Sequence, residues 1–474
     1  FKTAVGARKT ECTMCHTEHK GTDGKITQLS DSQCSACHEK QFKSFSDGHP
    51  NFSSDYPSRR RTAIVFDHSN HFNKHFENAK YADRAPKDRC IACHNVDQAV
   101  RNVPVRPFEE ACARCHEDQI AGRELVLFTL PEFEENPFDV AAVGEACGPT
   151  AEARDAAGEQ LSAIAEKLEE LKEGGLSAAA ASAELLSEIE GLQGQLGFGE
   201  PGEPEEEYES VSTETLPPTA VLLLGIEDGE DIQGYTEPVR DLIMGMIESG
   251  EEPLVAALEE RGDAKALLSD LSPELVRGIA CAWASNVEYE APAEAISGGW
   301  FADALSLKYQ PLRHADTVSK SWLNLAAAGG EGVTDDLREM LLSRSEGPGA
   351  CTKCHSVSQT AEKAETLRVE WAFGAQSNQR HLSYSHGPHL TLLGPGASCE
   401  TCHKLNAEAD YAGSFKHYDP HKFASNFNSI ENATCTQCHA KGQVRQECTL
   451  CHEYHNGNKF KRRMMSASAK ESSK

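Results

Sequence analysis

A five-residue pattern, Cys-x-x-Cys-His, occurs eight times in this chain of 474 residues and constrains its fold more than any other feature. Every copy ends in His, which excludes a chance pairing of Cys residues. The eight copies use sixteen of the eighteen Cys, so the motif accounts for nearly all of the thiol chemistry in the sequence. The copies are Cys12–His16, Cys34–His38, Cys90–His94, Cys112–His116, Cys351–His355, Cys399–His403, Cys435–His439 and Cys448–His452.

This spacing is the signature of covalent c-type haem attachment. Two thiols separated by two residues reach the two vinyl groups of one porphyrin, and the His that follows lies under the ring as the proximal iron ligand. Structural zinc sites are the alternative, but they need two Cys pairs in register and no His after each pair. We therefore predict eight covalently bound haem c groups, attached through Cys12, Cys15, Cys34, Cys37, Cys90, Cys93, Cys112, Cys115, Cys351, Cys354, Cys399, Cys402, Cys435, Cys438, Cys448 and Cys451, with proximal ligands His16, His38, His94, His116, His355, His403, His439 and His452.

The low hydrophobic content, 39%, agrees with this prediction. A chain of this length that buried a large core of its own would carry more apolar residues. Each haem supplies apolar surface that side chains would otherwise provide. The longest apolar run, Ala220–Ile226, is far shorter than the ~18 residues of a transmembrane helix.

Acidic residues are concentrated in the middle of the chain. The segment from Glu145 to Glu260 holds 29 acidic and four basic residues, which is −25 of the total charge of −28. This balance excludes nucleic acid as a partner. It favours solubility or a basic redox partner.

The motifs divide the chain into four predicted regions. Residues 1–120 form an N-terminal tetrahaem region, 121–345 a haem-free helical insert, 346–460 a C-terminal tetrahaem region and 461–474 a flexible tail. In the first region, Cys12 to Cys34 and Cys90 to Cys112 both span 22 positions, which indicates a duplicated two-haem unit.

The insert shows a helical pattern throughout. Ala, Glu and Leu at helical spacing predict a hairpin of helices over 151–173 and 176–193, which is either a solvated arm or a contact for a partner. A Gly/Pro/Glu linker follows over 197–218. Short helices are predicted over 235–287, broken at Gly250, at Gly262 and at Ser272-Pro273, with Ser at the N-cap and Pro in the first turn.

The distal iron ligands are predicted to be His. Twelve of the 20 His lie outside the motifs, whereas of the six Met, Met14 is inside a motif and three are in the insert. A helix from about Ser69 to Asn78 would place His68, His71 and His75 on one face. The favoured distal ligands are His19, His49, His68, His71, His386, His389, His417 and His455, with His75, His381 and His421 as further candidates. We interpret His314, which lies beside an acid and far from any motif, as a structural or interface residue; the alternative is a haem that reaches into the insert.

Two of these residues cannot serve the haem of their own motif. His19 follows His16 by three residues, and His455 follows His452 by three. Residues three apart on a helix point the same way, so they cannot approach one iron from opposite sides. We expect both to bind the iron of a neighbouring haem.

The motifs resemble those of multihaem c-type cytochromes of the class III and nitrite-reductase-partner kind. Phe66-x-His68-x-x-His71 and Tyr384-x-His386-x-x-His389 resemble the element with which one short helix of those proteins ligates two haems. The resemblance covers the two haem-rich ends and implies a mostly α and irregular fold, with two haem-packed regions flanking the insert. It also implies low-potential bis-His haems and a location outside the cytoplasmic membrane, in the periplasm or at the cell surface, with a cleaved leader or membrane anchor before the sequence.

Two functions are compatible with this resemblance. The first is an electron carrier between redox partner proteins, as a subunit of a membrane complex or as a homo-oligomer joined through the insert. The second resembles octahaem oxidoreductases that act on a small nitrogen or sulfur compound at one haem with an open site. All eight motifs end in His, and the supply of His exceeds the demand, so we favour the carrier and assign no catalytic residue.

Cys147 and Cys281 lie outside the motifs. They are compatible with a disulfide that brackets the insert, or with two small buried side chains.

Overall fold

The computed structural model divides into two compact units. One unit combines both ends of the sequence, Phe1–Cys115 and Glu370–Lys474, and is here called the split unit; the other, His116–Val369, is the central unit. The boundary falls inside a helix that carries the fourth Cys-x-x-Cys-His motif, and the fifth motif lies within the central unit. The structure describes residues 29–35, 41–49, 52, 60–99, 102–120, 123–148, 162, 164, 215–287, 289, 298–303, 305–345, 347–360, 366–373, 384–393 and 399–452.

The split unit is built from short helices joined by irregular chain. Most of its described helices are one or two turns long, because the motifs and their turns interrupt any longer run. Its α-helices are α1 (Asp31–Ser35), α2 (His68–Asn70), α3 (Cys90–Cys93) and α4 (Phe108–Ala111), with α5 (Ala113–Ile120) crossing the boundary; after the central unit come α15 (His386–Leu393), α16 (Cys399–Cys402) and α17 (Asn432–Thr436). Single turns of 3-10 helix lie at Ala79–Tyr81, Val96–Gln98, Ala412–Phe415 and Cys448–Leu450.

The central unit is mostly helical and carries two small antiparallel sheets. Its helices are α6 (Val140–Cys147), α7 (Pro218–Leu224), α8 (Thr236–Ser249), α9 (Glu252–Glu259), α10 (Ala264–Leu267), α11 (Pro273–Ala284), α12 (Thr317–Ala328), α13 (Asp335–Leu342) and α14 (Cys351–Cys354), with 3-10 turns at Gln233–Tyr235 and Pro348–Ala350. The first sheet has the strand order β1-β3-β2 and is formed by β1 (Leu125–Thr129), β2 (Gly299–Asp303) and β3 (Ser306–Gln310). The second pairs β4 (Val357–Gln359) with β5 (Leu367–Val369).

An apolar core lies between these sheets and helices. Strand β1 is buried at every position except Val126, and Trp322 of α12 is fully buried. The indole Nε1 of Trp322 donates to the carbonyl of Leu267 at 3.0 Å, so this large ring is buried without an unpaired donor. The core fixes the positions of α12 and of β3, the strand before it. One candidate ligand lies in the connection between them.

The helix boundaries predicted from Gly, Ser and Pro are confirmed in the central unit. Helix α8 ends at Gly250, and α11 begins at Pro273 with the Ser272 side chain accepting from the backbone N–H of Leu275. The predicted hairpin over 151–173 and 176–193 lies outside the described residues, apart from positions 162 and 164, which are helical.

The predicted helix from Ser69 to Asn78 is shorter than expected and changes type. Helix α2 begins at His68 and passes into a π-helical turn over His71–His75, where the N–H of Phe76 bonds to the carbonyl of His71 at 2.9 Å. A π turn adds one residue to the ring of each hydrogen bond.

The two Cys outside the motifs form a disulfide. Cys147, at the end of α6, is bonded to Cys281 in α11; the two residues are 134 positions apart in sequence, and their Cα atoms are 5.6 Å apart. The bond joins two helices of the central unit. No helix in the described parts of the chain is long and apolar enough to cross a membrane.

Candidate haem sites

Each described motif except the fourth folds its Cys-x-x-Cys-His in the same way. The backbone N–H of the terminal His donates to the carbonyl of the first Cys, which closes one helical turn around the two thiols. The turn places both sulfur atoms on one side and directs the chain away at the His. The N···O distances are 2.9 Å for His94 to Cys90, 2.8 Å for His355 to Cys351, 2.8 Å for His403 to Cys399, 2.9 Å for His439 to Cys435 and 2.9 Å for His452 to Cys448.

Two of these turns begin from an unusual backbone conformation. Arg89, directly before Cys90, has a φ of 44°, and Ala350, directly before Cys351, has a φ of 51°. Residues other than Gly rarely adopt a positive φ, because that backbone conformation is strained for them. It persists where the surroundings enforce it. In both motifs it sets the direction from which the chain enters the Cys-x-x-Cys turn.

The motif His rings face other His rings at a nearly constant distance. In each of five pairs, one ring ends a motif and its partner lies outside every motif. The ring centres are 6.4 Å apart for His68 and His94, 6.3 Å for His386 and His403, 6.3 Å for His389 and His439, 6.4 Å for His49 and His452, and 6.1 Å for His314 and His355.

This distance fits an iron atom between the two rings. A bond from a metal to an imidazole nitrogen is about 2 Å long, and the ring centre lies about 1.1 Å further, so two rings in line across one iron have centres about 6.3 Å apart. Rings in direct face-to-face contact would lie about 3.5–4 Å apart. Three of the pairs are also nearly parallel, at 14° for His68 and His94, 19° for His386 and His403, and 15° for His314 and His355. The donor set and its spacing therefore fit a bis-His haem.

The ring nitrogens of one pair are oriented by backbone carbonyls. Nδ1 of His389 donates to the carbonyl of Ser385 at 2.9 Å, and Nδ1 of His439 donates to the carbonyl of Arg445 at 2.6 Å. When Nδ1 carries the proton, Nε2 is the nitrogen with a free lone pair, and such outer hydrogen bonds set both the tautomer and the ring angle of a metal ligand. Nδ1 of His71 bonds to the carbonyl of Asp67 in the same way, at 2.7 Å.

The two aromatic-His elements have the same local geometry. Phe66 lies edge-on to His68 and stacks on His71, with centre distances of 4.6 and 4.0 Å. Tyr384 lies edge-on to His386 and stacks on His389, at 5.0 and 4.8 Å. In both elements the first His faces a motif His. The aromatic ring therefore holds two neighbouring imidazoles in different orientations.

Buried hydrogen bonds position the first of these elements. Asn426, which is 3% exposed, accepts from the backbone N–H of His68 at 2.8 Å and donates to Asp67 at 3.2 Å. The hydroxyl of Tyr411 accepts from the backbone N–H of Phe66 at 3.1 Å. Residues from the C-terminal part of the sequence thus orient a His from the N-terminal part.

Burial keeps several of these rings neutral. It lowers the pKa of His68 to about 4, and the nearby His94 and His71 rings contribute further to that shift. Burial likewise lowers the pKa of His94, and burial together with His386 and His94 lowers the pKa of His403. Because iron binds the neutral imidazole, this desolvation favours the form that can act as a ligand.

Four of the pairs are adjacent to one another within the split unit. Phe427 lies between the first two pairs, with its ring centre 4.8 Å from His68 and 5.9 Å from His403. Helix α15 carries both His386 and His389, so it joins the second pair to the third. Phe45 then lies 5.7 Å from His439 and 5.1 Å from His49, between the third pair and the fourth.

Contacts between segments of different motifs agree with this adjacency of the His pairs. The side chains of Cys90 and Cys399 are within hydrogen-bond distance, and burial followed by Cys399 raises the pKa of Cys90. Arg89 and Glu400, the neighbours of these two Cys, form an ion pair at 3.0 Å. The backbone N–H of Cys448 donates to Asp31 at 2.8 Å, and Asp31 lies on the same short helix as Cys34, which brings the second motif next to the eighth.

The remaining predicted residues are placed less informatively. Nδ1 of His116 lies 3.2 Å from Oε1 of Gln119. His75 lies 5.4 Å from His71, ring centre to ring centre. His417 and His421 are exposed, and the carbonyl of His417 accepts a hydrogen bond from Arg61. Cys12, Cys15, His16, His19, Cys37, His38, His381 and His455 lie outside the described residues.

The sequence interpretation of His314 did not anticipate its position. The sequence favours a structural or interface role for this residue over a haem ligand, and the structure places its ring opposite that of His355. No aromatic-x-His pattern or nearby motif marks it. The sequence offered one signal, the number of His residues. Twelve lie outside the eight motifs, which is more than eight distal positions require.

Comparisons with protein-family models, with curated proteins and with solved structures found no match to this chain. Within the described residues, no group of three or more His, Cys, Asp or Glu side chains converges as it would around a bare metal ion. The candidate ligands in the described residues come as pairs of rings.

Proposed function

We propose that this protein is an octahaem c-type cytochrome that carries electrons between redox partners. The observation that supports this most strongly is the constant separation of 6.1–6.4 Å between five motif His rings and five His rings outside the motifs. One iron between the two rings of each pair would account for this shared distance.

Haem supplies one-electron redox chemistry, and the residues around it decide how that chemistry is used. The two Cys of each motif would attach the porphyrin, and the motif His would bind its iron. In the five pairs, the facing His would bind the same iron and so exclude a substrate from it. Ligation by two His, without Met, also favours a low potential.

At five of the eight motifs, a facing His favours the carrier over the alternative, an oxidoreductase acting on a small nitrogen or sulfur compound. That enzyme needs a haem with an open or exchangeable axial position. His94, His355, His403, His439 and His452 each have a facing His. The adjacency of four pairs, with Phe427 and Phe45 between them, is the arrangement that a conduit requires.

The setting of the protein is part of the proposal. The bond between Cys147 and Cys281 supports an oxidising compartment outside the cytoplasmic membrane, because disulfides persist there. The acidic segment from Glu145 to Glu260 supports a basic redox partner, which it would attract at low salt. Assembly into a membrane complex or a homo-oligomer through the central region is compatible with both.

Counting the haem groups tests the proposal directly. We expect the intact mass and a pyridine haemochrome assay to give eight haems for each chain. Replacing Cys90 and Cys93 with Ala should remove one haem, whereas replacing Cys147 and Cys281 with Ser should leave all eight, because only the first two belong to a motif. A count of six or fewer in the unmodified protein would contradict the proposal.

Electron paramagnetic resonance of the oxidised protein then separates carrier from enzyme. Bis-His ligation gives low-spin ferric signals. A high-spin ferric signal equal to one haem would favour the oxidoreductase instead.

A further inference from the structure

The pair formed by His314 and His355 differs from the other four in its location. Both residues belong to the central unit, where the ring centres are 6.1 Å apart and the rings are inclined by 15°. This unit has an apolar core and a disulfide of its own. The spacing and angle nevertheless match those of His386 and His403 in the split unit.

Two rigid elements hold His314 in place. It lies in the short connection between β3 and α12, and the next residue, Ala315, has a φ of 64°. Such a conformation in a residue other than Gly is strained and persists only where its surroundings enforce it. The carboxylate of Asp316 provides that constraint, since it accepts from the N–H of Ser319 at 2.8 Å and from the hydroxyl of Tyr309 at 2.6 Å.

The motif on the other side is anchored just as firmly. His355 is 9% exposed, and it lies between α14 and β4. Thr352, which is 2% exposed, donates from its hydroxyl to the carbonyl of Ser343 at 2.9 Å.

We propose that His314 is the distal ligand of a haem attached through Cys351 and Cys354, so that the central unit carries a bis-His haem of its own. This inference rests on the proposed function, because it requires the motif to bind haem. His314 then acts as a ligand from a structured turn and not from an aromatic-x-His helix. The strained Ala315 and the N-cap Asp316 are positioning residues that aim the ring.

Replacement of His314 in the full-length, haem-loaded protein tests this assignment. His314→Ala should keep eight attached haems, lose one low-spin ferric signal and gain one high-spin signal. Added imidazole should restore the low-spin signal by filling the vacated position. Leu312→Ala is the matched control, since Leu312 lies two residues away on the same connection and is 56% exposed; it should leave every signal unchanged.

A second variant covers the case in which His314→Ala does not fold. His314→Met retains a side chain that can bind iron, so it should stay low-spin while the potential of one haem rises. Unchanged spectra and potentials in both variants, with eight haems present, would overturn the assignment of His314 alone. Absence of haem from the peptide containing Cys351 and Cys354 in the unmodified protein would instead contradict the proposed function.

Discussion

The split unit and the central unit bury apolar surface in opposite ways. Among the described residues, every buried apolar side chain belongs to the central unit except Tyr411, which is 8% exposed. The split unit leaves large apolar residues at its surface, such as Leu392 at 72% and Leu393 at 43%, both on the helix that carries His386 and His389. Its buried residues include polar ones that orient ligands, such as Asn426. Under the proposed function, haem groups supply the core of the split unit, whereas side chains supply the core of the central unit.

This difference matters because apolar burial is the main favourable term in folding. Removing apolar area from water contributes roughly 25 cal/mol per Å². Side chains such as Trp322 and Ile243, both fully buried, contribute this term in the central unit without any prosthetic group. Under the proposed function, the split unit would obtain a comparable term from the porphyrins bound at its His pairs.

The largest expected effect follows from preventing haem attachment. A chain produced without haem should lose structure over residues 1–115 and 370–474, while residues 116–369 keep their core and disulfide. Hydrogen exchange measured by mass spectrometry should show fast exchange in the split unit and slow exchange in most of the central unit. The haem-loaded chain is the control, with both units protected. Equal protection of both units in the haem-free chain would contradict the proposal that haem supplies the core of the split unit.

Removing the disulfide should affect the central unit alone. Replacing Cys147 and Cys281 with Ser frees a loop of 134 residues in the unfolded state, and the loss of such a link typically costs about 2–4 kcal/mol. We expect the free energy of unfolding from hydrogen exchange over residues 116–369 to fall by this amount, while the low-spin haem signals of the split unit stay constant. Reduction of the unmodified protein should reproduce the variant. A loss of protection confined to residues 1–115 would contradict the assignment of this bond to the central core.

The smallest expected effect concerns a single positioning residue. Asn426→Ala leaves the backbone N–H of His68 without its buried acceptor, which costs about 1–3 kcal/mol. We expect the free energy of unfolding of the split unit to fall by this amount. The low-spin signal of the haem attached through Cys90 and Cys93 should also change, because His68 is no longer held at its angle to His94. Asn428→Ala is the matched control, since Asn428 is exposed and its bond to Lys404 uses the backbone. Identical spectra for the two variants would show that Asn426 does not orient His68.

Much of the local structure could be predicted from the sequence. The break at Gly250 and the Ser272 cap with Pro273 were predicted from residue type and are present. The placement of a short helix at His68 was also predicted, although its π-helical second half was not, because the extra residue in that turn has no signature in residue type. The two sheets of the central unit were not predicted, since their strands are only three to five residues long.

By itself, the sequence determined which Cys and His residues form the attachment motifs, because a spacing of two residues and a following His act within one helical turn. Only the tertiary structure decided which His faces which. The two members of a pair can lie far apart in the chain, as in His49 with His452, His314 with His355, and the disulfide-bonded Cys147 with Cys281. Hydrogen bonds of a helix extend over four residues, so local pattern carries no information about such partners. These partners depend on how distant segments of the chain pack. For the same reason, His314, in the connection between β3 and α12, lies opposite His355.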